Sequence, residues 1–301
     1  MSARFALTSL ICLVGACAPV PPLTSPTANV STANWAATCQ GCDGWGDPAP
    51  PAKIFANVYA VGTCGITSLL VASPAGHILI DGGTRQGGAV VAANIAALGL
   101  KITDVRWILN THEHFDHAEG ISELQRLSGA KLAVMALAAP VLTTGKPDAA
   151  DPQLGRLPPM APARVDRVLA DGEIVGVGPL RLTAHATYGH APGSTSWTWR
   201  ACEAGTCRAI AYADSTSSIS NPGYRFSAHP EYVARFRASL AKMADLPCDI
   251  LITPHPAASA MGERFGGSRP LVDSTACRRY AAAARVRLDE RLAREAAGTE
   301  P

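Results

Sequence analysis

Beyond residue 55 the chain alternates short apolar runs with segments of helical spacing. Runs at 57–61, 67–72 and 77–80 are β-branched or apolar and are broken by Gly and Pro, which predicts three strands. Residues 87–98 (GGAVVAANIAAL) carry helical spacing and stop at Gly99. A short buried strand is predicted at 105–109, a helix at 120–127 and an extended segment at 131–135. Strands follow at 174–184, 194–199 and 208–213, then a helix at 230–244, an extended segment at 250–253 and a terminal helix at 274–297. The arginine stripe of that last helix reads as a solvated face. Trp197 and Trp199 alternate on a strand and read as core. Strands first, then strands interleaved with helices, predict a layered α/β or α+β domain. Between them lies a long Pro-rich stretch, 146–162 (KPDAADPQLGRLPPMAP). A loop of that length in a compact domain is usually a lid or a pocket wall.

The N-terminal pattern is different. Arg4 and the apolar run 5–14 read as an export signal too short to span a bilayer. Two endings compete. Ala16-Cys17-Ala18 suits ordinary signal peptidase, and Val14-Gly15-Ala16-Cys17 resembles a bacterial lipobox whose cysteine is acylated. Residues 19–26 (PVPPLTSP) suit a tether. The organisation expected is an export signal at 1–17, a Pro/Ser/Thr-rich flexible tether at 18–50 and one catalytic domain at 51–301. The expected location is the periplasm, with membrane attachment only through a lipidated Cys17.

Composition narrows the function classes. Hydrophobic residues make up 48% of the 301 residues and charged residues 17%, as in a globular domain. Lys plus Arg is 26 against 24 for Asp plus Glu, so nothing suggests a nucleic-acid partner. No apolar run reaches the roughly 18 residues of a membrane span.

Export changes how the cysteines read, because an oxidising compartment favours disulfides. Cys202 and Cys207 flank a tight turn and are expected to pair. Cys248 and Cys277 bracket His255 and are expected to staple it. Cys64 is open between Cys39 and Cys42, with Cys42–Cys64 as the working pair. Seven cysteines follow Cys17, so an odd thiol is expected.

The densest chemistry is at 110–120, N-T-H-E-H-F-D-H-A-E-G. His112 and His114 are two apart, which on an extended strand end puts both imidazoles on one side. Asp116 and His117 follow where the chain turns toward a helix, placed for a second metal nearby. Neutral imidazole and carboxylate are zinc's preferred ligands apart from thiolate. His190, in a Gly/Pro-rich turn, and His255, directly after a strand, complete the set from distant loops. His77, His185 and His229 read as surface or packing residues.

Together, HxHxDH, the upstream Leu-Ile-Asp-Gly-Gly (79–83), the later Gly-His and the final Pro-His resemble the metallo-β-lactamase superfamily. Within it the chain resembles subclass B3. His117 stands inside the motif, and Ala213-Asp214-Ser215 has serine where other classes have cysteine. Cys248/Cys277 and Arg225-Phe226-Ser227-x-His229-Pro230 also look like the subclass. Glu119 departs from the glycine expected there. The resemblance implies a four-layer αββα sandwich and two Zn2+ per chain. His112, His114 and His190 would hold the first ion, and Asp116, His117 and His255 the second. It further implies hydrolysis of the amide of penicillins, cephalosporins and carbapenems by a zinc-activated hydroxide, which Asp116 orients. Tyr224 is the implied oxyanion donor. Ser215 and Ser217 would hold the substrate carboxylate, and Gln153 would line the pocket.

Two other readings compete. A glyoxalase II-like thioesterase or lactonase would bridge its metals with an Asp near Asp214. A non-catalytic zinc-binding lipoprotein would leave such a site idle.

Overall fold

A computed structural model describes residues 30–299. The export signal and Cys17 lie outside the described residues. In chain order the elements are α1 (Thr32–Thr38), β1 (Ala52–Phe55), β2 (Val58–Ala60), β3 (Leu69–Val71), β4 (His77–Ile80), α2 (Arg85–Ala97), β5 (Val105–Leu109), α3 (Phe115–Ala118), α4 (Ile121–Ser128), β6 (Lys131–Met135) and α5 (Ala139–Thr144). Then come β7 (Val165–Leu169), β8 (Ile174–Val177), β9 (Leu180–Ala186), β10 (Thr195–Glu203), β11 (Thr206–Tyr212), α6 (Pro230–Ala244), β12 (Ile250–Ile252), α7 (Met261–Phe265) and α8 (Ala276–Ala296).

Seven strands form one sheet in the order β1-β2-β3-β4-β5-β6-β7, and five form a second in the order β12-β11-β10-β9-β8. The first sheet is antiparallel through β4 and parallel from β4 to β7. In the second, only the β11–β12 pair is parallel. Side-chain alternation sends successive residues to opposite faces. Ile78 and Ile80 enter the core between the sheets, beside Trp197, Trp199 and Tyr212, while Leu79 enters the layer under α2 and α4. Likewise Ile250 and Ile252 face the other sheet, and Leu251 faces α6 and α8. Helices thus cover the outer faces of the central strands, which is the αββα sandwich, while β7 to β9 alternate buried and exposed positions. The covering also explains why β4, β6 and β12 read as continuous apolar runs rather than alternating ones.

Three expectations change. The segment 174–184 is not one strand but the hairpin β8–β9, turned at Gly178 with φ +53°. Residues 30–50, expected to be flexible tether, are packed. Trp35 is buried edge-on to Phe265, and Ser31 caps α1 through the Asn34 N–H. Lys53 N donates to Val30 O, so the segment adds to the domain rather than leading to it. Cys64 pairs with Cys39, not with Cys42. Cys42 is disulfide-bonded as well, so it is not the odd thiol. The pairs Cys202–Cys207 and Cys248–Cys277 form as expected. Among the described residues no helix is long and apolar enough to cross a membrane.

Candidate metal centre

The site is built where strands of both sheets end. Strand β5 stops at Leu109, and the chain continues extended through Asn110 to His114 before α3 begins. The loop after β4 lies against this one. Gly82 and Gly83 N–H donate to His117 O, and Gly120 N–H donates to Gly83 O. A Cβ on Gly120 would come 2.3 Å from Gly82 O, so this approach requires glycine. The second sheet supplies His190 from the β9–β10 connection and His255 from the loop after β12. Thr195 N–H donates to Thr111 O at 2.6 Å, and Gly193 N–H to Glu113 Oε1 at 2.7 Å, locking the His190 loop to the β5 loop.

Two groups of donors result. His112, His114 and His190 have ring centroids 4.7–4.9 Å apart. Asp116 Oδ2, His117 Nε2 and His255 Nε2 lie 3.2–3.3 Å from one another. A tetrahedral zinc with bonds of about 2.0–2.1 Å holds its ligands about 3.3–3.4 Å apart, so the second group has the spacing of a ligand set. Donor atoms of His112, His114 and His190, and of His112, Asp116 and His117, also fall within 4.8 Å of one another. All are buried except His255, whose side chain keeps 30% of its surface and marks the open side.

Three of the histidines, His112, His114 and His190, carry a hydrogen-bond partner on the far nitrogen, the pattern that fixes a metal-ligating tautomer. His112 Nδ1 meets Asp214 Oδ1 at 2.9 Å. His114 Nε2 meets Asp151 Oδ2 at 2.8 Å. His190 Nδ1 meets Ser217 Oγ and O at 2.9 and 3.0 Å. His117 Nδ1 faces Asp81 Oδ2 at 3.6 Å. Asp81 is a hub, accepting also from Thr111 N–H and Oγ1 and from Tyr212 OH.

The residues fit a metal. His112 is fully buried, yet its Nε2 has no hydrogen-bond partner. An unpaired buried nitrogen is costly, and a metal ion would satisfy it. Burial pushes the pKa values of His112 and His190 well down, favouring the neutral ligand form. Burial also opposes charge on His117, but Asp116 and Asp81 outweigh it and hold its pKa up at about 10. The second group therefore attracts positive charge.

The other predicted residues are placed as follows. Ser215 is buried with an unpartnered hydroxyl. Ser217 accepts from His190 Nδ1, which leaves its own proton to donate. Gln153 has a buried, unpartnered Nε2. Tyr224 stacks on His229, with ring centroids 4.4 Å apart, and no hydrogen bond ties its hydroxyl to the cluster among the described residues. Glu119 accepts from the Arg85 backbone N–H and side chain, at the first turn of α2. Its backbone is right-handed helical, so no glycine is needed there. His77 and His185 stay outside the cluster, bonded to Ser73 N and Thr198 Oγ1.

Sequence reading missed Asp151, the orienting role of Asp214, and Trp45. Trp45 is 44% exposed and lies 5.6 Å from the His255 ring and 5.8 Å from Phe115, at the mouth of the site. Thr63 Oγ1 donates to its carbonyl. The available signal was a tryptophan lying between Cys42 and Cys64, in a stretch read as tether.

The model of the metallo-beta-lactamase superfamily matches residues 61–255. The metallo-β-lactamase MIM-1 of Novosphingobium pentaromativorans superposes with a TM-score of 0.85 at 52% identity, covering 89% of this chain and 98% of that one. MEM-A1, a subclass B3 metallo-β-lactamase from a soil metagenome library, gives 0.82 at 48%, covering 85% and 100%. Curated relatives match more weakly. A probable metallo-hydrolase of Burkholderia pseudomallei is 33% identical over 45% of this chain and 48% of its own length. A hydroxyacylglutathione hydrolase of Methylobacterium nodulans is 30% identical over 56% and 52%. The chain thus spans about half the length of the curated relatives it matches. The chain belongs to the metallo-β-lactamase superfamily and, within it, groups with the subclass B3 enzymes.

Proposed function

We propose that the protein is a zinc-dependent β-lactam hydrolase that opens the amide of penicillins, cephalosporins and carbapenems and so confers resistance. The observation that carries the reading is the convergence of six donors, in two groups, on one pocket open at His255. His112, His114 and His190 would hold one Zn2+, and Asp116, His117 and His255 a second. When bound, zinc supplies Lewis acidity and brings the pKa of a water close to 7.

The chain's residues do the rest. The remaining oxygen of Asp116 accepts a hydrogen bond from the attacking water and aims it at the lactam carbonyl. Ser215 and Ser217 donate their hydroxyl protons to the substrate carboxylate, and the unpaired amide of Gln153 is a further donor for it. Burial, with Asp151 and Glu295 nearby, pushes the Tyr224 pKa up to about 12, so it stays protonated and can donate to developing charge on the carbonyl oxygen. Trp45 offers an aromatic face to the substrate's side groups. Near-full-length similarity to β-lactamases supports this substrate class over a thioester. So does Asp214, whose Oδ1 is committed to the non-ligating nitrogen of His112 rather than placed between the two donor groups. The disulfides suit an oxidising compartment, in keeping with export to the periplasm.

The test is carbapenem hydrolysis by zinc-loaded protein lacking residues 1–17. Loss of the lactam absorbance that EDTA abolishes and zinc restores is the expected result. No hydrolysis by protein that holds its metal would shift the assignment to a thioesterase or lactonase.

A further inference from the structure

A concave space of about 380 Å³ opens between α8 and the segment 257–270, apart from the metal centre. Four guanidinium groups line it, those of Arg264, Arg269, Arg279 and Arg287, against one carboxylate, Asp273. That carboxylate is already paired with Arg279. Arg264 is only 8% exposed, and its terminal nitrogens donate to the neutral carbonyls of Leu251 and Leu271, at 2.6 and 3.0 Å. Arg287 donates to Thr216 Oγ1. Among the described residues none of Arg264, Arg269 and Arg287 forms an ion pair. Burial disfavours the charge on Arg264, the one carboxylate near enough to offset it is Asp273, already shared with Arg279, and a bound anion would relieve the excess. The planar fork of arginine matches phosphate oxygens two at a time. Between the arginines the wall is small and apolar, with Ala257, Pro270 and Ala283. The volume lies within the roughly 300–1,000 Å³ of small-molecule sites. A recess of that kind suits a compact ligand better than a flat membrane surface.

We propose that this cavity is a second binding site, for a small organic phosphate monoester whose anionic head meets the arginines and whose apolar group lies on the alanine and proline wall. The test uses the zinc-loaded chain, titrated calorimetrically with phenyl phosphate and with inorganic phosphate. The expected result is one site per chain, with phenyl phosphate the tighter ligand. Arg269→Glu reverses an exposed charge, and Ala283→Trp fills the recess from the exposed side of α8. Each should weaken phenyl phosphate about tenfold or more, the loss of one charge-assisted contact, and leave carbapenem turnover unchanged. Undiminished binding in both variants overturns the proposal. So does phenyl phosphate that competes with carbapenem, which places it on the metal centre, or parent protein that binds neither probe at 10 mM, a ceiling of roughly −3 kcal/mol. Vesicles containing phosphatidic acid separate the two phosphate sources. Capture by vesicles that Arg269→Glu abolishes and Ala283→Trp leaves intact means a charged surface, not a cavity, and also overturns it.

Discussion

Asp214 and Asp116 are both buried carboxylates beside histidines, but their geometry assigns them opposite duties. Asp214 Oδ1 meets the outer nitrogen of His112, whereas Asp116 Oδ2 lies among the donor atoms themselves. Asp214→Asn should therefore weaken zinc affinity by about 10–100-fold, the usual cost of losing an orienting partner. Turnover should recover in excess zinc. Chelator competition and activity against added zinc check this; a loss that excess zinc cannot repair would make Asp214 a direct ligand of the thioesterase kind. Asp116→Ala should instead leave about one zinc per chain and lower kcat by about 10²–10⁴-fold, the range expected for removing a group that handles the proton. Metal analysis beside steady-state rates decides that. The ligand motif was legible because four of its six donors sit in one stretch, 110–120. Asp151 was not, since its pairing with His114 joins residues 37 apart and depends on how the Pro-rich loop folds back.

At the level of elements, two clamps deserve testing because neither follows from local pattern. Glu295, on the last turn of α8, accepts from the Phe226 and Ser227 N–H groups and from Arg291 Nε, at 2.7–3.0 Å. Burial alone would raise its pKa, but these donors outweigh it and hold the carboxyl below its ordinary value. A depressed carboxylate contributes fully above its unfolded pKa, about 4.3, and that contribution fades as pH falls through the folded value. Glu295→Gln should lower the thermal midpoint at pH 7, and the two proteins should converge as the pH falls below the folded-state value, a comparison that calorimetry across pH makes directly. The other clamp is Cys39–Cys64, which closes a 25-residue separation. Replacing both cysteines with serine should cost about 3 kcal/mol by chain entropy and should raise KM more than it lowers kcat, because Trp45 lies inside the closed loop. Denaturant midpoints and steady-state kinetics read the two effects. The central strands were readable because they are apolar on both faces, whereas β7, whose VDRVL carries two charged residues in its middle, was not read as a strand. The packing of 30–50 was not, because a covalent link and one buried tryptophan order it in place of a periodic pattern. The β8–β9 hairpin was merged into one strand because Val177-Gly178-Pro179 interrupts the apolar run for too few residues to register as a break.

For the whole molecule, the donors are divided between the sheets. His112, His114, Asp116 and His117 follow β5 of the first sheet, and His190 and His255 follow β9 and β12 of the second. Across that seam the sheets are otherwise joined by side chains of the shared core and by a few bonds, such as Trp197 Nε1–H to Asn110 O and Tyr212 OH to Thr67 O. A metal held by both sides therefore links the two halves and is coupled to folding of the whole domain. Any ligand that binds only the folded state stabilises it by RT ln(1 + [L]/Kd), about 2.7 kcal/mol at a hundredfold excess over Kd. For a domain of this size each kcal/mol moves Tm by about 2–4 °C, so stripping zinc should lower Tm by about 5–11 °C. The unfolding transition should stay single, since the core between the sheets persists without metal. Differential scanning calorimetry of zinc-loaded and EDTA-treated protein measures both. An unchanged Tm would mean that the folded domain binds zinc no more tightly than the unfolded chain does, and two separate transitions would mean that the sheets fold as independent halves.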